Sequence, residues 1–149
     1  MGESRLRPDR PATTPAAPAP SPADTLTRRR LRILAHHRVR HLGVGEDIDH
    51  GLAETIATAT TRRPLDGAHP GDADIAVVWF RDGDGDLAAV LAGLVETTTS
   101  LIWLFTPAAG RPGHIGDARI LSAARAAEAF AEPGMLVRPH WTGTRLHVA

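Results

Sequence analysis

The clearest pattern of apolar and polar positions lies in residues 72–114 and predicts a strand, a helix and a second strand. The first strand, residues 75–80, is rich in branched and aromatic side chains, which is typical of a strand buried on both faces of a parallel sheet. The helix carries one apolar stripe, formed at three- and four-residue spacing by Leu87, Val90, Leu91, Leu94 and Val95. The second strand is residues 101–105, and Pro107 stops it. Such a short unit crosses over right-handedly, so both following loops reach the same sheet edge, where open α/β sheets bind ligands.

Weaker periodicity on either side extends this unit into a larger α/β fold. The expected elements are, in order, a helix from Asp24 carrying Leu26, Leu31 and Leu34, a strand at 39–44, a helix at 48–59, a brief edge strand at 63–66, the central unit, a helix at 115–131, and strands at 135–139 and 144–148 joined around 141–143. The sequence therefore predicts an α/β class protein with a small three-layer Rossmann-like (methyltransferase-like) fold. Its mostly parallel sheet ends in an antiparallel hairpin.

Composition limits the chain of 149 residues to one domain with one modest core. Residues 1–23 are rich in proline and alanine and have almost no apolar surface to offset ordering entropy, so we expect a disordered N-terminal arm before a single domain at 24–149. The absence of cysteine excludes a disulfide framework and thiolate metal sites and suits a reducing compartment. No apolar run approaches the roughly 20 residues that span a bilayer. We expect a cytoplasmic protein.

Charge is balanced in total but not along the chain. The formal net charge is +0, yet a group of arginines has no acid among its members: Arg28, Arg29, Arg30, Arg32, Arg38 and Arg40. Carboxylates dominate residues 46–86. We expect the two blocks to face each other or solvent. The alternative, a patch that binds a nucleic-acid backbone, is weakened because no aromatic residue is interleaved and no recognition helix is evident.

A Gly-x-Gly turn, Gly43 and Gly45, follows the first predicted strand and raises a nucleotide-binding hypothesis. The hypothesis is weak, because Ile48 replaces the third glycine, no P-loop lysine follows, and acids occupy the helix start that a phosphate would need. These acids are Glu46, Asp47 and Asp49. Asp66 stands about 20 residues further on, where dinucleotide and methyl-donor folds keep a ribose-binding acid. The connection at 67–72 is too short for the next helix and strand of such a fold, so any cofactor half-site is truncated.

The loops after the two central strands carry the other candidate residues. Residues 81–86 resemble a calcium loop only at first, because Leu87 and Gly93 stand where the turn glycine and the bidentate glutamate belong, and a tight turn with an Asp cap is favoured. Residues 106–114 present Arg111 and His114, which could steady a carboxylate or a partner surface. They form no catalytic set without a partner group.

The remaining polar and aromatic signals predict structure rather than chemistry. Trp141 is expected in the core. His37 and His41 have i, i+4 spacing, but no H-E-x-x-H motif or acid cluster supports them, and we expect no metal.

Four segments together are similar to the actinobacterial family known as domain of unknown function 3052: V-R-H-L-G-V-G-E-D-I-D, D-I-A-V-V-W-F-R-D-G-D-G-D-L, L-I-W-L-F-T-P-A-A-G-R-P-G-H and W-T-G-T-R-L. The resemblance covers roughly residues 31–148. It implies a compact Rossmann-like sheet and no assigned activity, and it marks Trp79, Arg81, Asp82, Thr106, Pro107, Gly110, Arg111, His114, Trp141, Gly143 and Arg145. The sequence departs from the pattern at Val44-Gly45, where relatives tend to carry Trp-Asp, and after His114, where the usual Pro-Ser-Asp helix entry is missing.

Three functional hypotheses follow. The first is a non-catalytic binding or regulatory module without a cofactor, which binds a protein partner or small ligand at the loop edge through Gly43, Gly45, Glu46, Asp47, Arg81, Asp82, Thr106, Arg111, His114 and Trp141. It is favoured because no nucleophile, base and orienting group occur together. The second is a reduced S-adenosylmethionine-dependent methyltransferase, with Gly43, Gly45 and Asp66 at the donor and Asp82 or the Thr106-Pro107 turn at the acceptor. The third is a nucleic-acid-binding accessory protein that uses the arginine block.

Overall fold

A mixed β-sheet forms the centre of the computed structural model, which describes residues 27, 29–63, 65 and 71–148. In this part of the chain the strands are β1 (Val39–Leu42), β2 (Ala73–Trp79), β3 (Thr98–Pro107), β4 (Ala129–Ala131), β5 (Met135–Arg138) and β6 (Trp141–Val148), and the helices are α1 (His50–Ala59), α2 (Leu87–Thr97) and α3 (Asp117–Ala126). The expected α/β fold is confirmed. The predicted arm at 1–23, the helix start at Asp24 and the candidate acid Asp66 lie outside the described residues.

The sheet has the strand order β1-β2-β3-β6-β4, and β5 also pairs with β6. Strands β1, β2 and β3 are parallel, whereas β6 runs antiparallel to β3. Helix α1 packs on one face through Leu52, and α2 packs on the other face through Leu91. Since the covering helix changes sides between β1 and β2, the topological switch point of the sheet lies between these two strands.

Two apolar clusters, one on each face of the sheet, form the core. The α1 face is aromatic and is centred on Trp79, Trp103, Phe105 and Trp141, all buried. The indole of Trp103 donates to the Leu31 carbonyl over 2.7 Å and so ties the N-terminal segment to this face. The opposite face is aliphatic and packs α2 and α3 on alternate residues of β2 and β3. Period-two alternation along each strand thus separates an aromatic layer from an aliphatic one.

Aspartates begin two of the helices. Asp49 caps α1 by accepting from the Leu52 N–H over 2.8 Å, and Asp86 caps α2 by accepting from the Ala88 N–H over 3.0 Å. The expected Asp cap at the end of residues 81–86 is therefore confirmed.

The C-terminal third differs from the prediction. Helix α3 ends at Ala126, not at 131, because Glu128 adopts a left-handed φ of 63° and the chain then forms β4 against β6. The hairpin turn lies at 139–140, so Trp141 is the first residue of β6 rather than part of the turn. The core position expected for Trp141 is confirmed by its 4% exposure. Strand β3 is longer than predicted, since it begins at Thr98 and includes Pro107.

One expectation for the first third, the extent of the helix from Asp24, also needs correction. The N-terminal helix that precedes β1, described at residues 27 and 29–31, ends at Leu31, so Leu34 lies beyond it and is exposed. Arg40 does not face solvent: it is only 3% exposed and donates to the carbonyl of Gly71, which lies within residues 46–86. The edge strand expected at 63–66 is described only at Leu65, which forms one parallel bridge with Arg40.

Candidate functional site

The three loops that follow β1, β2 and β3 meet on one rim at the carboxyl ends of the parallel strands. Arg81 Nη1 donates to the Gly43 carbonyl over 2.8 Å, which joins the first loop to the second. The Asp82 N–H donates to the Gly113 carbonyl over 2.8 Å, which joins the second loop to the third. The turn between β5 and β6 also reaches the rim, since the His140 carbonyl accepts from the Ala108 N–H.

Arg81 is the central side chain of the rim. Its Nε donates to Asp47 Oδ2 over 2.9 Å and its Nη2 donates to Asp47 Oδ1 over 2.6 Å, a bidentate pair. Nη1 additionally contacts Asp84 at 3.3 Å and the Trp79 carbonyl at 3.1 Å. The guanidinium carbon lies 5.5 Å from the centre of the Trp141 ring, within cation–π range. We call Arg81, Asp47 and Asp84 the Arg81 cluster.

The electrostatics of the Arg81 cluster favour its charged form. Hydrogen bonding from Arg81 lowers the pKa of the Asp47 carboxyl, and hydrogen bonding to Asp47 raises the pKa of the Arg81 guanidinium. The Arg81 side chain is only 18% exposed. The cluster places two carboxylates on one cation, so the rim at the switch point carries no spare positive charge from Arg81.

The two glycines of the Gly-x-Gly turn are explained by packing within the chain. Gly43 has φ +75°, and a Cβ there would lie 2.1 Å from the Trp79 carbonyl oxygen. At Gly45 a Cβ would lie 3.1 Å from Asp47 Oδ1 and 3.4 Å from Arg81 Nη2. In dinucleotide folds such glycines leave room for the ligand; here that room holds the backbone of β2 and the Arg81 cluster.

Aromatic rings support the rim from below. Trp79 lies edge-on to Trp141 at 4.9 Å and packs against Phe105 at 4.7 Å. The Trp79 indole donates to His41 Nε2 over 2.7 Å, so His41 accepts as a neutral imidazole, and burial lowers its pKa. A ring nitrogen of His37 is engaged in the same way, because the Leu34 N–H donates to His37 Nδ1.

The other sequence candidates lie around this centre. Glu46 is exposed, and its carbonyl contacts His50. Asp82 pairs with Arg119 over 2.7 Å. Arg111 is exposed, and its side chain makes no hydrogen bond or ion pair to the described residues. His114 places Nδ1 2.9 Å from the Pro107 carbonyl.

Thr106 needs correction as a loop residue. It lies within β3, is 1% exposed, and pairs in register with Thr142 of β6. It faces the aliphatic side of the sheet, like Leu104 before it, because side chains two residues apart share a face.

Two depressions lie along the rim, and members of the Arg81 cluster line the first of them. One of about 460 Å³ lies between the loops after β1 and β2 and is lined by Gly43, Val44, Asp47, Arg81, Asp84 and Val90, among others. The second, of about 310 Å³, contains Thr106, His114, Asp117, Gly134, Leu136 and Thr142. Gly113 separates them by packing on Arg81 and Pro107, where a Cβ would lie 3.0 and 3.3 Å away. Sequence reasoning missed Asp84, Asp117, Thr142 and Thr144; only the T-x-T alternation of the last two carried a signal.

Two described members of the arginine block lie at the opposite end of the parallel strands from the rim. Arg29 and Arg32 line a depression of about 610 Å³ with Ser100 and Arg145, near the start of β3. It is therefore remote from the rim.

The described residues contain no cluster of three or more potential metal ligands. Among these residues, no helix is both long and apolar enough to cross a membrane.

Comparison with known proteins identifies relatives of unknown activity and structural neighbours that are methyltransferases. The family model described as "Protein of unknown function (DUF3052)" matches residues 28–149. Uncharacterized proteins of Mycobacterium tuberculosis and Mycobacterium bovis are 31% identical over 120 residues, covering 79% of this chain and 75% of theirs.

Solved structures with a similar fold share little sequence with this chain. The pyocyanin biosynthetic protein PhzM matches with a TM-score of 0.59 at 14% identity, over 85% of this chain but only 54% of its own. An S-adenosylmethionine-dependent methyltransferase from Aquifex aeolicus matches with a TM-score of 0.57 at 9% identity, over 85% of this chain and 89% of its own. Magnesium protoporphyrin IX methyltransferase from Synechocystis, solved with bound S-adenosylmethionine, has a TM-score of 0.54 at 9% identity and covers 85% and 76%. These likenesses show the Rossmann-like fold alone.

Proposed function

Since the chain belongs to the DUF3052 family, whose description assigns no function, we propose from its geometry that it is a non-catalytic Rossmann-like binding module. Its ligand binds in the depressions of the rim, which include the open part of the crevice beside the Gly-x-Gly turn, whereas a methyl donor would also need the part of that crevice that the Arg81 cluster fills. The observation that carries this proposal is the Arg81 cluster, which packs on Gly45 and narrows the crevice.

A methyl donor bound across that crevice would have to displace the Arg81 cluster. Arg81 donates to two carboxylates and two backbone carbonyls, and breaking hydrogen bonds to charged groups costs about 1.5–3 kcal/mol each. Asp47 would also lose Arg81, the only cation that pairs with it among the described residues. S-adenosylmethionine would therefore bind this crevice far more weakly than it binds a preformed, open one.

The depressions beside the Arg81 cluster suit a small molecule. Their volumes of about 460 and 310 Å³ fall at the lower end of the range typical of ligand pockets, about 300–1,000 Å³. Each combines apolar walls with a few polar groups, which is the usual composition of such pockets. This supports a small ligand over a protein partner among the two options that the sequence left open.

The second candidate function is a reduced S-adenosylmethionine-dependent methyltransferase. The observation in its favour is the fold, since the neighbours named above include enzymes of that class. Strand order and the switch point match that reading, but fold alone does not carry an activity.

Titration calorimetry with S-adenosylmethionine and S-adenosylhomocysteine separates the two functions. We expect no binding heat at millimolar ligand with the wild type. Arg81→Met, which keeps the aliphatic stem but removes the guanidinium, is the informative variant, and Arg119→Met, at the exposed pair with Asp82, is its matched control. Micromolar binding by the wild type would overturn the proposal, because the crevice would then be accessible despite the Arg81 cluster.

Binding at the rim is tested by backbone amide NMR of the full chain with a set of small fragments. We expect shift changes to cluster in residues 43–47, 81–86 and 106–114. Changes confined to the α1 face, or none across the set, would contradict a rim that binds small ligands.

A further inference from the structure

The face of the sheet that carries α2 and α3 changes chemistry at its rim end. Along β3 the side chains on this face are Ile102, Leu104 and then Thr106, and β6 places Thr142 and Thr144 beside them in register. Thr106 is 1% exposed and Thr144 is 3% exposed. Neither hydroxyl makes a hydrogen bond within the described part of the chain, although both residues line cavities.

Packing does not explain these threonines. Valine has the same shape as threonine, and the Thr106 and Thr144 hydroxyls are not among the buried, unpartnered polar atoms of the described residues, so we place them at the open cavities rather than in the sealed core. Strand propensity does not favour threonine over valine either. We call Thr106, Thr142 and Thr144 the threonine floor.

The walls above the threonine floor add hydrogen-bond acceptors. Asp117, the first residue of helix α3, adds a carboxylate. The Pro107 carbonyl can only accept, so His114 donates to it from Nδ1, and Nε2 makes no hydrogen bond to the described residues. Ile120 and Leu136 supply apolar surface.

Two cavities of about 270 and 310 Å³ lie side by side along the threonine floor, since both are lined by Asp117 and Gly134, and we call the pair the groove. No lysine or arginine is among the described residues that line them, whereas Asp117 and Glu132 are. Glu132 is already paired with Arg145 at 2.7 Å, which leaves Asp117 as the carboxylate available to a ligand. Anionic ligands are therefore disfavoured by charge.

We infer that this groove binds a small organic amine with an apolar body. The ammonium pairs with Asp117, the threonine hydroxyls and His114 Nε2 complete its hydrogen bonds, and the hydrocarbon part lies on Ile120 and Leu136. The inference rests on the proposed function in placing the ligand at the rim. It names the class of ligand, which the Arg81 cluster alone does not.

Three probes with one apolar body and different head groups test the charge preference: phenethylamine, 2-phenylethanol and phenylacetate. Each is titrated into the full chain and followed by backbone amide NMR. We expect shifts at Asp117, Gly134 and Thr142 with phenethylamine, at least fivefold weaker binding of 2-phenylethanol, and no saturation with phenylacetate. Equal affinity for the three probes, preference for phenylacetate, or shifts outside the groove would each overturn the inference.

Variants then test the named groups. Asp117→Asn should weaken phenethylamine binding at least fivefold, whereas Glu96→Gln, an exposed acid on α2, should leave it unchanged. Thr106→Val and Thr144→Val should weaken phenethylamine binding while the urea midpoint stays equal or rises. A fall of the midpoint without a change in affinity would show that the hydroxyls serve folding and would overturn the inference. Success or failure here is independent of the S-adenosylmethionine calorimetry, which reports only on the Arg81 cluster.

Discussion

Among the described glycines, Gly43 is the one whose replacement by alanine should destabilise the protein most, because its added Cβ would have the least room. The Cβ would lie 2.1 Å from the Trp79 carbonyl oxygen, with the Trp79 carbon and nitrogen at 3.1 and 3.2 Å. All three atoms belong to the backbone of β2, which is hydrogen-bonded between β1 and β3. The neighbour therefore has little freedom to move.

The magnitude has two parts. A left-handed φ costs a residue with a Cβ about 1–2 kcal/mol, and φ is +75° at Gly43. Forcing the Cβ against fixed backbone adds an overpacking term of about 1–3 kcal/mol. The sum, about 2–5 kcal/mol, corresponds to a melting temperature roughly 4–20 °C lower for a domain of this size.

Alanine substitutions at two other glycines separate the backbone cost from the overpacking cost. The free energy of unfolding of each variant is measured in urea by tryptophan fluorescence. Gly110 has φ +84° with nothing within 4 Å of a Cβ, so Gly110→Ala should cost only the backbone part, about 1–2 kcal/mol. Gly93 lies in α2 with open space and a φ outside the left-handed range, so Gly93→Ala should stabilise by about 0.5–1 kcal/mol. If Gly43→Ala and Gly110→Ala lose the same stability, the glycine is not fixed by its contact with β2, and a ligand-related role regains weight.

Three further predictions concern caps and titrating groups. Asp86→Ala removes the cap that accepts from Ala88 and Ala89 and should cost about 1 kcal/mol in urea unfolding, while Asp72→Ala, outside any helix, should change little. Hydrogen bonds from Arg145, and then from His147, lower the pKa of Glu132 from 4.5 to about 2, so the stability that Glu132 contributes is complete above pH 4.5 and is lost as pH falls toward 2. The stability difference between wild type and Glu132→Gln, about 1 kcal/mol at pH 7, should therefore shrink between pH 4.5 and 2. A difference that stays constant over this range would contradict the ion pair. Burial lowers the pKa of His41 from 6.5, so the unfolded chain binds a proton first as pH falls below 6.5 and the wild type should lose stability there; urea midpoints at pH 7.5 and 5.5 should show a smaller loss for His41→Gln, which cannot titrate.

Much of the fold could be predicted from local pattern, and the failures have identifiable physical causes. Helix α2 and its flanking strands follow from apolar spacing alone, since the spacing of the apolar residues decides which side chains each element buries. The alanine-rich segment at 115–131 has helix propensity to its end, but pairing of β4 with distant β6 residues overrides that propensity. No local signal reports such a pairing.

Gly143 shows how one residue type can mislead. It suggested a turn around 141–143, yet it lies inside β6, where a Cβ would meet Val137 at 2.6 Å and Phe105 at 3.1 Å. Glycine in a strand marks close approach as often as a turn, and only the neighbours tell which. The Arg81 cluster was beyond prediction for a related reason: Asp47 is 34 residues away, and the sequence does not show which carboxylate a guanidinium selects.

Two different short strands, β4 and β5, pair with the side of β6 that faces away from β3, and this arrangement affects whether chains associate at high concentration. Residues 146–148 pair with β4 and residues 141–143 pair with β5, and the Glu132 N–H donates to the Arg145 carbonyl between them. Two short strands broken by Pro133 and Gly134 present no long, regular ladder to another molecule. A second copy therefore finds no template for strand addition at this border, which disfavours stacking of chains into fibrils without any charge repulsion being needed.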